Sequence, residues 1–182
     1  LAPLAQHPKP EGRLAACLAL GRLASPATAG FLTDSDPAIA AEAAWAIHDD
    51  NGIPEALPAL AAWLDTAPAN SLEPALRRAI NANYRLGTPE AATRLIRYAL
   101  NPAPDFPFPG AGGKQGPVPS PREEALVLLT LWMQPPALDR MDARPRSYPA
   151  RDAAALRPVL QPFQSGLLEL KEPGMKGLAL QI

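Results

Sequence analysis

Proline is the residue that most constrains this chain, because it recurs in one setting: a short polar stretch, a proline, then an apolar-periodic segment. The setting appears at Lys9-Pro10-Glu11, Asp36-Pro37-Ala38, Glu73-Pro74-Ala75 and Ser120-Pro121-Arg122, with a weaker copy at Glu172-Pro173-Gly174. Proline has no backbone N–H, and its fixed φ already matches a helix. It therefore fits the first helical turn, where no donor is needed, and is excluded from the interior. Each of these prolines thus predicts a helix start. With 24 prolines in 182 residues, a random scatter would have read as disorder; their placement argues for repeated helices instead.

The segments that follow carry helical stripes. Ile39, Ala43, Ala46 and Ile47 share one face, and Leu72, Leu76, Ile80 and Tyr84 step by four. Leu126, Leu128, Leu129, Leu131, Trp132 and Met133 are apolar nearly all round, which predicts a covered helix. Between these lie partner stripes: Ile53, Leu57, Leu60 and Leu64; Ala92, Leu95, Ile96 and Ala99; and Leu156, Val159, Leu160, Phe163, Leu167 and Leu170. Thr88-Pro89-Glu90 reads as an N-cap followed by proline at the first position, and Leu86-Gly87 as a helix closed by a C-terminal glycine. Pro58, Pro158 and Pro162 fall inside partner stripes and are expected to bend or break them. Residues 101–120 and 134–149 read as irregular loops, and Pro173 to Ile182 as a helix stopped after two turns.

Alanine and leucine dominate the apolar set, aromatics are 5%, and Val, Ile and Thr are scarce, which suits closely stacked helices and not a sheet. The expected fold is all-α: a right-handed α-solenoid of about four helix-pair repeats, forming a single domain over residues 1–182. A formal net charge of -1 gives no bulk attraction for nucleic acid or for acidic partners. Cys17 is the only cysteine, so the segment makes no internal disulfide, no cysteine-based metal site and no attached c-type haem. No apolar run approaches the roughly 20 residues of a membrane span. The chain opens at Leu1 within an apolar helical pattern, without a signal peptide, and is expected to be a piece of a longer protein.

The runs Ala43-Ala44-Trp45-Ala46-Ile47-His48-Asp49, Ala56-Leu57-Pro58-Ala59-Leu60 and Leu76-Arg77-Arg78-Ala79-Ile80-Asn81-Ala82-Asn83-Tyr84-Arg85-Leu86-Gly87 resemble HEAT repeats. The spacings between Pro10, Pro37, Pro74, Pro121 and Pro173 are 27, 37, 47 and 52 residues, bracketing the roughly 40–47 of such repeats. The likeness, over about residues 10 to 170, is to the HEAT segment of large exported proteins of the membrane-bound-dehydrogenase type. There a sorbosone-dehydrogenase-like propeller precedes the repeats and a c-type cytochrome domain follows. The resemblance implies a periplasmic or otherwise exported setting, flanking domains of the same chain or another protein as partners, no cofactor in this segment, and haem c elsewhere in the parent.

Candidate chemistry is sparse. His48-Asp49-Asp50 places an imidazole beside carboxylates, as a general base or metal site would need. It also stands at a predicted helix end, where a histidine meets the negative pole and acids begin a turn, and that reading is favoured. His7, the other histidine, lies on a separate loop. Arg77, Arg78, Asn81, Asn83 and Arg85 form a polar strip on the helix that the resemblance puts on a concave face. With His48 and Asp49 they are the candidate partner-binding surface, although for the strip itself bracing against loop carbonyls of a neighbouring repeat is the favoured reading.

Arg77, Arg78, Arg85, Arg94 and Arg97 also suggest phosphate contacts, but lysine is scarce, few aromatics interleave, and Arg77 and Arg78 can pair with Glu73. Trp45, Trp63 and Trp132 are expected to be packing residues. Gly110-Ala111-Gly112-Gly113-Lys114 lacks the Ser or Thr and the preceding strand of a phosphate loop. The expectation is a non-catalytic scaffold or interaction segment, with a nucleic-acid-binding repeat and a lyase-like helical-repeat enzyme as alternatives.

Overall fold

The prolines do start the helices. A computed structural model describes residues 2–49, 52–104, 106, 119–133 and 153–169, and all regular structure among them is helical. Helix α1 is Ala2–Ala5 and α2 Pro10–Arg22. A 3-10 segment, Pro26–Thr33, leads to α3, Pro37–His48. A short 3-10 turn, Pro54–Ala56, runs into α4, Leu57–Trp63; α5 is Glu73–Leu86, α6 Pro89–Leu100 and α7 Pro121–Met133. Then α8, Ala153–Leu160, passes through a 3-10 turn, Gln161–Phe163, into α9, Gln164–Glu169. Pro10, Pro37, Pro89 and Pro121 are the first residues of their helices, and Pro74 is the second of α5. The expected copy at Pro173, the helix from there to Ile182, the 134–149 loop and most of the 101–120 loop lie outside the described residues.

Side chains complete the starts. Asp36 accepts from the Ala38 N–H at 2.9 Å, and Thr88 from Ala91 at 3.2 Å. At α7 the arrangement is reciprocal: Ser120 Oγ accepts from the Glu123 N–H at 3.2 Å while Glu123 Oε2 accepts from the Ser120 N–H at 2.7 Å. That is a capping box, satisfying two donors the helix leaves open. Helix α5 ends as expected at Gly87, whose φ of 67° is the left-handed region. Helix α2 ends in the same geometry without a glycine. Ala24 has φ 49°, its N–H donates to the Gly21 carbonyl at 2.9 Å, and the Ser25 N–H donates to Leu20 at 3.0 Å.

The chain divides into two compact units, Leu1–Ala82 and Asn83–Ile182. In the first, α2, α3 and the Pro26–Thr33 segment pack together, and α4 packs on α3. Phe31, Leu32, Ile39, Ala43, Ile47, Ile53, Leu60, Leu76 and Ile80 are buried there. Arg13 binds Asp34 through two parallel hydrogen bonds, Nε to Oδ2 at 2.8 Å and Nη2 to Oδ1 at 2.9 Å. This ties α2 to the turn ahead of α3. In the second unit α6 packs on α7 and α8, with Leu95, Ile96, Leu126, Leu129 and Leu160 buried. Tyr84 meets Trp132 edge-on at 5.8 Å between ring centroids. Arg122 Nε donates to the Ala99 carbonyl at 2.8 Å, occupying an acceptor at the end of α6.

Several expectations need correction. Pro58 occupies the first turn of α4, where proline is tolerated, so it neither bends nor breaks that helix. The break falls earlier, at the Pro54 turn, and Ile53 is buried without being helical. The stripe from Leu156 onward is broken, as its prolines led one to expect, but α8 runs through Pro158 to Leu160 and the interruption is the 3-10 turn that holds Pro162. Leu72 stands before α5 and is exposed rather than continuing the Leu76–Ile80–Tyr84 stripe. Helix α7 is not covered all round: Val127 and Leu131, one turn apart, are 52% and 40% exposed, opposite the buried Ala125, Leu129 and Trp132.

Candidate functional site

Four of the candidate residues meet within the first unit. His48 is the last residue of α3 and Asp49 its C-cap, whose N–H donates to the Trp45 carbonyl at 2.9 Å. Gly52, at φ 57°, lets the chain turn sharply here: a Cβ at that position would stand 2.7 Å from the Ile47 carbonyl oxygen. The turn aims His48 and Asp49 at α5. Arg78 donates to Asp49 through Nε to Oδ1 at 3.0 Å and Nη2 to Oδ2 at 2.6 Å, a two-pronged guanidinium–carboxylate pair. His48 Nδ1 lies 2.7 Å from Asp49 Oδ1, and its Nε2 lies 2.8 Å from Asn81 Oδ1. A carboxylate only accepts, so Nδ1 carries a proton. Nε2 donates to the Asn81 oxygen as placed, or accepts from its NH2 with the amide turned over; the link survives either way.

Partial burial pushes the Asp49 carboxyl up. The hydrogen bonds from Arg78 and His48 outweigh that and hold it below the usual carboxylate range. The arrangement can fasten α3 to α5. As a general base it is poorly placed, since both ring nitrogens of His48 are engaged and its side chain is 15% exposed. Asp50, the third member of the expected cluster, is outside the described residues. Among the described residues no group of three or more His, Cys, Asp and Glu is arranged to hold a metal ion.

The expected polar strip splits. Arg77 and Arg78, on adjacent positions, diverge: Arg77 pairs with Glu73 one turn back, whereas Arg78, also expected to pair locally, reaches Asp49. Asn83 is fully buried, so it is no surface residue. Positions two apart on a helix point to opposite sides, which the run of polar letters concealed. Arg85 lies in the second unit with Asn83. His7 is away from the cluster, its Nδ1 accepting from the Lys9 N–H at 3.2 Å.

The tryptophans part company too. Trp63 and Trp132 are buried as expected, but Trp45 is 45% exposed. It borders an open cleft of about 570 Å³ between α2 and α3, into which Leu18, Arg22, Glu42 and Asp49 also face. Cys17 forms part of its floor, with the thiol pushed up to about 12 by burial and by the Glu42 charge, hence neutral and unreactive. The sequence signal that marks Trp45 as the exposed one is its place three residues after Glu42 and four before Asp49.

Comparison with protein-family models, with curated proteins and with solved structures finds no match to this chain.

Proposed function

We propose that this chain is a non-catalytic helical-repeat segment, an α-solenoid of HEAT type that holds neighbouring domains or a protein partner in position. The observation that carries the reading is the mutual commitment of His48, Asp49, Arg78 and Asn81. Residues that look chemical in the sequence are used as a brace between the end of one helix and the flank of another. Such a brace suits a stack whose repeats contact only their neighbours. The recurrence of capped, proline-initiated helices fits the same architecture. The spacer role between a propeller and a cytochrome domain, and an exported location, rest on the resemblance of residues 10 to 170 alone.

Two measurements test this. A compact sphere of this length has a radius of gyration of about 16 Å. X-ray scattering from the chain in solution should give a clearly larger value with an extended distance distribution, and a value near the spherical one rejects the solenoid. For the spacer, the parent chain should show a strand-rich propeller pattern before Leu1 and Cys-x-x-Cys-His after Ile182. Neither pattern in the flanking sequence would remove that role and leave the free-standing interaction segment.

A further inference from the structure

The cleft between α2 and α3 touches the brace that holds the first unit together only at Asp49. Its α3 wall is a ridge made by Glu42, Trp45 and Asp49, three, then four, residues apart and hence on one side of the helix. Asp49 is already neutralised by Arg78. Glu42 is half-buried and makes no ion pair or hydrogen bond among the described residues. Beside it the Trp45 ring, the largest apolar surface a side chain offers, is 45% exposed. Leu18 supplies an apolar patch on the facing helix. Arg22, exposed, also lines the cleft and forms neither an ion pair with Glu42 nor a cation–π contact with Trp45 among the described residues.

An aromatic face next to an uncompensated carboxylate is complementary to one chemical group above others, a cation with a flat or greasy body. Guanidinium fits best, since it stacks on an indole while its fork of N–H donors reaches a carboxylate. The methylene stem that carries it would lie along Leu18. We propose that this cleft binds an arginine side chain presented by a peptide segment of a partner protein, with Trp45 stacking on the guanidinium and Glu42 receiving its charge. The proposal rests on the reading of the chain as an interaction segment and gives that reading a specific surface.

The test follows the indole N–H signals of the intact chain by NMR, with Trp45 assigned from the Trp45→Phe variant. The probe is acetyl-Gly-Arg-Gly-amide, compared with the same peptide carrying citrulline, which has the shape of arginine without its charge. The arginine peptide should shift the Trp45 signal saturably while leaving Trp63 and Trp132 unmoved. Glu42→Gln should weaken binding about three- to tenfold, and Trp45→Ala, read on neighbouring amides, by at least about fivefold. Both side chains are at the surface, so a matching thermal midpoint confirms that each variant is folded. Equal shifts with citrulline, or none with arginine, would overturn the proposal.

So would spermidine binding as tightly as the peptide, which makes the site one for small polyamines. A Trp45 shift that grows with protein concentration alone means a second copy fills the cleft, and is likewise fatal. These failures are separable from failure of the repeat-scaffold reading: an extended scattering profile with an empty cleft leaves the scaffold standing without this site.

Discussion

The carboxylate of Asp34 keeps only 5% of its side-chain surface in water, and two guanidinium bonds and the Asp36 N–H stand in for the solvent it has lost. Hydrogen bonding from Arg13 is the largest influence on it and lowers its proton affinity against the opposing effect of burial. Asp49 is likewise held below its usual range. Both groups are therefore more acidic folded than unfolded. Their stabilisation is complete above the unfolded value, about 3.9, and is lost as pH falls through the lower folded values. Urea unfolding should show Asp34→Ala weaker than wild type by about 1–3 kcal/mol at pH 7, with the gap closing as pH falls below the unfolded value. A gap that persists unchanged in acid would mean that packing, not the ion pair, is lost.

Ala24 makes the opposite case. It occupies the left-handed turn that closes α2, where a Cβ is disfavoured by about 1–2 kcal/mol. Ala24→Gly should accordingly raise stability by about 0.5–1 kcal/mol, against the usual direction for glycine, and a loss in a thermal melt would contradict the geometry. Neither feature could be read from the letters. Arg13 and Asp34 are 21 residues apart, and an alanine after a helix carries no signal of its backbone angle. Burial misled in the same way at Asn83 and Trp45, whose polarity suggested surface for one and interior for the other.

At the level of elements the reading was more secure, because helix starts are governed by local chemistry. A proline in the opening turn, joined at α3, α6 and α7 by a capping Asp, Thr or Ser, acts locally, so α2, α3, α5, α6 and α7 begin where the sequence puts them. Thr88→Ala should destabilise the chain by about 0.5–2 kcal/mol through the lost bond to Ala91, with Thr88→Ser restoring most of it in the same denaturation assay. Where several prolines crowd together, local rules no longer decide which one ends the helix. Pro54 and Pro58 illustrate this: the chain takes the first as a 3-10 turn and accepts the second inside the opening turn of α4. The cover of α7 failed for a different reason, since apolar letters all round a helix state what could be buried, not what a neighbour is present to bury.

On the scale of the molecule, the all-helical composition followed from residue usage, whereas the division at Ala82 and Asn83 falls inside α5 and has no mark in the sequence. The single thiol offers a probe of how the first unit opens. Cys17 is fully buried and its thiol is raised to about 12, so at pH 8 it should react with an aromatic disulfide reagent at least about a hundredfold slower than free cysteine. The rate should climb with sub-denaturing urea, reporting the opening free energy of that unit. Reaction at the free-thiol rate would mean that α2 detaches readily.

Helices α2 and α3 come close at Gly21, where an added Cβ would stand 3.0 Å from the methyl of Ala46. The gap between the two helices is thus set by a pair of the smallest side chains, both of which also border the Trp45 cleft. Residue size at position 21 becomes a gauge for the aperture beside them. A larger residue there would wedge the helices apart and widen the mouth without touching its walls. Sequence drift at one unreactive position could in this way retune what the surface admits.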